Sequence, residues 1–164
     1  CLKKFGPNLQ SITKLIQNSL IAKKKIIEKD ELESDLRRVL NYGHTFGHAL
    51  ESVTNNKINH GMAVIWGIDI ANFISTQMNM LSNRTFNELH EVIRKYFPIK
   101  YKKNFSTKRI LYFVKKDKKF EKNYINMALL QKPGSVIIKP VKFDKFLQKT
   151  VNNYLHNFNE LNTN

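Results

Sequence analysis

The chain has 164 residues, 41% hydrophobic and 25% charged, and its 28 Lys+Arg against 13 Asp+Glu give a formal net charge of +15. Six Gly and four Pro exclude a collagen-like or linker-like polymer, and one cysteine, Cys1, excludes an internal disulfide. Lys, Asn or Asp interrupts every apolar run before the roughly 18 residues that a membrane span needs.

A domain of this size buries roughly two-thirds of its unfolded surface, enough for a core without covalent staples. The opening CLKKFGPNLQ has neither an apolar signal region nor an initiator Met, and with a lone thiol this points to a piece of a longer chain in a reducing cytoplasm. The basic excess is nearly all Lys, densest at 23–25 and 115–122, and is mixed with Asn and Ile rather than gathered with Arg. Such runs usually solvate a face, so nucleic acid is not an expected partner, and the charge leaves anionic small molecules open.

In chain order, Leu9, Ile12, Leu15, Ile16 and Leu20 predict a helix to about Ile27, with Pro7 and Asn8 as its start signal. Leu36, Val39, Leu40, Phe46, Leu50 and Val53 carry the helical period on to a polar loop over residues 54–57. The segment from Gly61 to Leu81 is apolar on most of its circumference, as a central buried helix would be. Further helices are expected over Asn83–Tyr96, ending before Pro98, and over Ser106–Val114, with Ser106 or Thr107 as cap. Pro133-Gly134 between β-branched runs predicts a small hairpin near 125–141, and Asp144–Phe158 closes as a helix. The expected fold class is mainly α, in one domain over 1–164.

A polar stripe carries the chemistry. At 100° per residue from Glu33, Arg37 falls at about 40°, Asn41 at about 80°, His44 at about 20° and His48 at about 60°, so one helix would present all five together. His44 and His48, at i and i+4, can approach one metal ion, and His60 opens the next helix, where a hairpin returns it to the same cleft. Spacing alone leaves open whether these are ligands or ordinary histidines. Gly43 and Gly47 inside a helix cost about 1 kcal/mol each and need a reason, either close approach of another backbone or of a ligand, or tight helix–helix packing.

The string LRRVLNYGHTFGHALE, followed by INHGMAVIWG, resembles the signature of 3-dehydroquinate synthase and the related sugar-phosphate cyclases. The resemblance extends upstream through Lys23 and the arrangement of Asp30, Glu31, Glu33 and Arg37, and downstream to Asp117-Lys118-Lys119. It implies the helical C-terminal domain of a two-domain enzyme of the shikimate pathway, whose N-terminal α/β domain binds NAD. It also implies a homodimer, His44 and His60 as ligands of Zn2+ or another divalent metal such as Co2+, and a third, carboxylate ligand on the N-terminal domain. By the same resemblance His48 is catalytic, and Lys23, Glu33, Arg37, Asn41, Lys118 and Lys119 bind a phosphorylated sugar acid.

The implied reaction converts a heptulosonate phosphate to a cyclic ketone with loss of phosphate, and this chain alone is expected to be inactive. Two positions depart from the family pattern: Met62, where the family usually has Glu, and Asp35, where a small residue is common. They point toward a paralogous cyclase acting on another sugar phosphate. A metal-dependent alcohol or glycerol-phosphate dehydrogenase and a nonenzymatic basic binding module are the other readings.

Overall fold

A computed structural model describes residues 9–32, 36–95 and 105–160, with side chains described over 10–32, 36–95 and 105–156. Pro7, Asn8, Glu33, Asp35 and the segment 96–98 that was expected to end a helix lie outside the described residues. The chain divides into two compact units between Leu40 and Asn41.

The first unit contains α1 (Leu9–Ile27), over the range its periodicity predicts. After α1 the chain turns, and the Asp30 carboxylate accepts from the backbone N–H of Arg37 at 2.8 Å. The Arg37 guanidinium donates to the Glu31 carbonyl at 2.7 Å. These two bonds pin the start of a 3-10 helix, Leu36–Asn41.

The second unit is built around α3 (His60–Gln77), which packs against α2 (His44–Val53), α4 (Asn83–Arg94), α6 (Lys145–Glu160) and strand β2 (Tyr124–Lys132). Helix α5 (Thr107–Lys115) lies against α2 and α6. Trp66, Ile70 and Ile74 of α3 are fully buried with Phe46, Leu50, Ile110, Leu129 and Leu147 in one core cluster. The Ser82 and Ser106 side chains accept from the backbone N–H groups of Thr85 and Arg109, capping α4 and α5.

The expected hairpin is β2 and β3 (Ser135–Lys142), antiparallel, with Ile125 opposite Val141 and Leu129 opposite Ile137. It turns at Gly134, whose φ of +81° is easy only for glycine. A two-residue strand, β1 (Phe120–Glu121), adds a third member that the sequence pattern did not announce.

Inside the core, fully buried Asp69 on α3 accepts hydrogen bonds at Oδ2 from Tyr154 of α6 at 2.6 Å and from His90 of α4 at 2.7 Å. One carboxylate thus joins three helices. Burial pushes the Tyr154 phenol well above its ordinary value, and the charge of Asp69 adds to the rise.

One expectation is corrected. The helical period drawn from Glu33 through Val53 is not one helix: residues 36–41 form a 3-10 turn, and Gly43 sits at φ +79° before α2 begins at His44. A 3-10 helix advances about 120° per residue and a left-handed residue reverses the winding, so the 100° wheel does not carry across this segment.

Gly43 and Gly47 bring their backbone close against α3. A Cβ on Gly47 would lie 3.2 Å from the Val64 Cα, and one on Gly67 would lie 2.0 Å from the Gly43 carbonyl oxygen. Of the reasons open from the sequence, the fold shows close approach of another backbone within tight helix–helix packing.

Candidate functional site

The glycine seam sets the distance between α2 and α3, and the site lies at the end of that seam. His44 opens α2 and His48 follows one turn later. The loop after α2 reverses the chain through Asn55 and Asn56, at φ 51° and 58°, values that asparagine tolerates better than most residues. Asn59 caps α3, its side chain accepting from the Met62 N–H at 2.9 Å, and so fixes His60 as the first helical residue.

The three imidazoles converge as their spacing suggested. Ring centroids are 5.3 Å apart for His44 and His60, 5.5 Å for His44 and His48, and 6.0 Å for His48 and His60. A cation about 2.1 Å from an imidazole nitrogen is about 3.2 Å from that ring's centre, so two rings sharing a tetrahedral ion have centres about 5.2 Å apart. The His44–His60 spacing matches that requirement.

Glu51, which sequence reasoning passed over, stands beside them. Its Oε1 is 3.2 Å from His60 Nδ1. His48, Glu51 and His60 offer ligand atoms that all lie within 4.8 Å of one another. A signal for Glu51 was available: it lies three residues after His48 and seven after His44, on the same helical face.

His44 Nδ1 lies 3.3 Å from the Tyr42 carbonyl oxygen. The Tyr42 hydroxyl in turn donates to the Asn72 side-chain oxygen on α3. Burial holds the His44 imidazole below its ordinary value; the Tyr42 carbonyl opposes this, and the charges of His48, His60 and Lys119 reinforce it. A neutral imidazole is the form that ligates a metal.

The remaining predicted residues are placed as follows. Lys119 is half-buried in the turn before β1, its backbone N–H donating to Asp117 at 3.0 Å, and its charge reaches His44. Lys118 is exposed. Asn41 lines a small crevice with Gly43, Thr45, Ala71 and Ala128. Lys23 and Arg37 belong to the first unit, and Glu33 lies outside the described residues. Met62 is half-buried and packs on the core cluster.

The family described as 3-dehydroquinate synthase C-terminal matches residues 2–120. The chain belongs to this family. Among similar proteins, the 3-dehydroquinate synthase of Campylobacter concisus (strain 13826) is 36% identical over 141 residues, covering 84% of this chain and 40% of the relative. That of Pelagibacter ubique (strain HTCC1062) is 38% identical over 151 residues, covering 85% and 39%.

The chain therefore spans about two-fifths of the length of these 3-dehydroquinate synthases. A solved structure of 2-deoxy-scyllo-inosose synthase, complexed with carbaglucose-6-phosphate, NAD+ and Co2+, superposes with a TM-score of 0.75 at 21% identity. It covers 88% of this chain and 41% of that one, and at this identity shows a shared fold. The helical C-terminal domain of the 3-dehydroquinate synthase-like fold expected from the sequence is the fold observed.

Proposed function

We propose that the chain is the substrate- and metal-binding part of a 3-dehydroquinate synthase-type carbon-oxygen lyase, which closes a heptulosonate phosphate into a cyclic ketone with loss of phosphate. The observation that carries this reading is the convergence of His44, His48 and His60 on adjacent helices, with the charge of Lys119 at the same place. His44 and His60 would hold a divalent cation, zinc or cobalt, and their spacing and the lowered basicity of His44 suit that role.

When bound, the cation supplies Lewis-acid polarisation of a substrate hydroxyl and carbonyl, and NAD, held by the N-terminal α/β domain that the family resemblance implies, supplies reversible hydride acceptance. The chain's own residues do the rest. His48 is exposed beside the other two rings, where it can take and return a proton. Lys119 and Lys118 offer charge-assisted bonds to the phosphate, Asn41 a hydrogen bond to the sugar acid, and the family resemblance adds Lys23, Glu33 and Arg37 as further substrate-binding residues. Met62 brings no charge to the first turn of α3, which favours a paralogous cyclase taking another sugar phosphate as the second reading.

The test is phosphate release from the heptulosonate phosphate, with NAD and Zn2+ or Co2+, by the full-length gene product or by this chain mixed with a relative's N-terminal domain. Release without net NADH is expected, because the cyclase returns its hydride. Accumulating NADH would instead indicate a dehydrogenase, and no release at any metal concentration would remove the cyclase reading.

A further inference from the structure

A carboxylate oxygen and a carbonyl oxygen can only accept hydrogen bonds from a neutral imidazole. The two rings proposed as ligands each meet such an acceptor at Nδ1: His44 at the Tyr42 carbonyl, 3.3 Å away, and His60 at Glu51 Oε1, 3.2 Å away. In both rings the proton is therefore drawn to Nδ1 and Nε2 is left bare. Free imidazole side chains in water favour the opposite tautomer, so each contact selects the less common form. His48 has ring contacts to His44 and His60 but no hydrogen bond of this kind among the described residues.

The two acceptors differ in how they are held. The Tyr42 carbonyl is main chain, and the Tyr42 side chain is anchored on Asn72. Glu51 is a side chain on α2, only partly exposed, reaching across to the first residue of α3.

We infer that Glu51 is a positioning residue: it fixes the Nδ1-protonated tautomer and the ring orientation of His60, so that His60 and His44 both present Nε2 to one divalent cation. This rests on the reading of His44 and His60 as the ligand pair. Carboxylates that orient ligating histidines in this way contribute substantially to metal affinity without touching the ion. The group of His48, Glu51 and His60 donor atoms follows from the same arrangement, because Glu51 is drawn in by its bond to His60.

The test has two readouts. In the metal-free chain, labelled with 15N at histidine and kept above about pH 8 where imidazoles are neutral, long-range proton–nitrogen correlation spectra report each ring's tautomer. Wild type and Glu51→Gln, which keeps an acceptor oxygen, are expected to show His60 protonated at Nδ1. Glu51→Ala shifts His60 toward the Nε2 form and leaves His44 unchanged. A loss of packing alone would not select one ring.

Titration of the full-length gene product with Co2+, followed by its visible absorption, should then show affinity about 10- to 100-fold weaker in Glu51→Ala and close to wild type in Glu51→Gln, with His44→Ala abolishing the signal. An unchanged His60 tautomer and unchanged Co2+ affinity in Glu51→Ala would overturn the inference, while loss on His44→Ala would leave the ligand-pair reading standing. Glu51→Gln falling as far as Glu51→Ala, with His44→Ala harmless, would make the carboxylate itself a ligand beside His48 and overturn both. A full-length wild-type protein with no Co2+ signal would remove the ligand pair, and the tautomer spectra would still decide what Glu51 does to His60.

Discussion

Replacing Gly67 by alanine asks whether the α2–α3 seam sets the site. The new Cβ would lie 2.0 Å from the Gly43 carbonyl oxygen, 2.7 Å from the Gly47 nitrogen and 3.0 Å from the Gly43 carbonyl carbon, all main-chain atoms that cannot rotate away. Overpacking of this kind costs about 3 kcal/mol. The struck oxygen also accepts the Gly47 N–H at 2.8 Å, the first bond of α2, whose loss adds about 1 kcal/mol. Alanine returns about 1 kcal/mol through its better helix propensity.

The net expectation is destabilisation by about 3 kcal/mol, a fall in Tm of about 6–12 °C for a chain of this size, measured by far-UV circular dichroism. Gly61→Ala is the matched control, because its Cβ would meet nothing closer than the Asn59 Oδ1 at 3.9 Å, so the same chemical change should hold or raise Tm slightly. A Gly67→Ala chain melting at or above wild type would refute the reasoning. A surviving Gly67→Ala fold should bind Co2+ more weakly, because α2 carries His44 and His48 away from His60.

Other outcomes follow from the same structure. Asp69→Ala strips the acceptor from Tyr154 and His90 and should lower unfolding stability by about 3 kcal/mol in urea titration. Tyr154 and Tyr42 both have raised phenol pKa values, so the unfolded chain releases these protons first; stability should be complete below about pH 10 and fall as pH rises past it, seen as a declining denaturation midpoint. The His44 shift has the opposite sense. Its stabilisation should be present above the ordinary imidazole pKa of 6.5 and be lost as pH falls below it, with the His44 ring resonances titrating later than those of a free histidine.

What the sequence made legible was local. The i, i+4 pair of His44 and His48 and the polar loop before His60 are written in short-range spacing, and the fold brings the three rings together. The same wheel failed between Leu36 and Gly43 because a periodicity reveals neither a 3-10 turn nor a left-handed residue. Gly67 gave no usable signal: a lone glycine in an apolar helix announces a close neighbour but not which one.

Partnerships across long stretches of chain were invisible as well. Asp69 lies 21 residues from His90 and 85 from Tyr154, and no pattern links them. Glu51 was readable on the face of α2, but nothing in the spacing told it apart from a solvated glutamate until His60 was placed beside it.

At the glycine seam α2 and α3 touch through peptide units, which are the same in every protein whatever side chains surround them. Substitutions elsewhere on the surface therefore have little leverage on the gap between the imidazoles. This is how a sequence can accumulate lysine and asparagine over its exterior until its charge reaches +15 and still hold three histidines at the separation their chemistry needs.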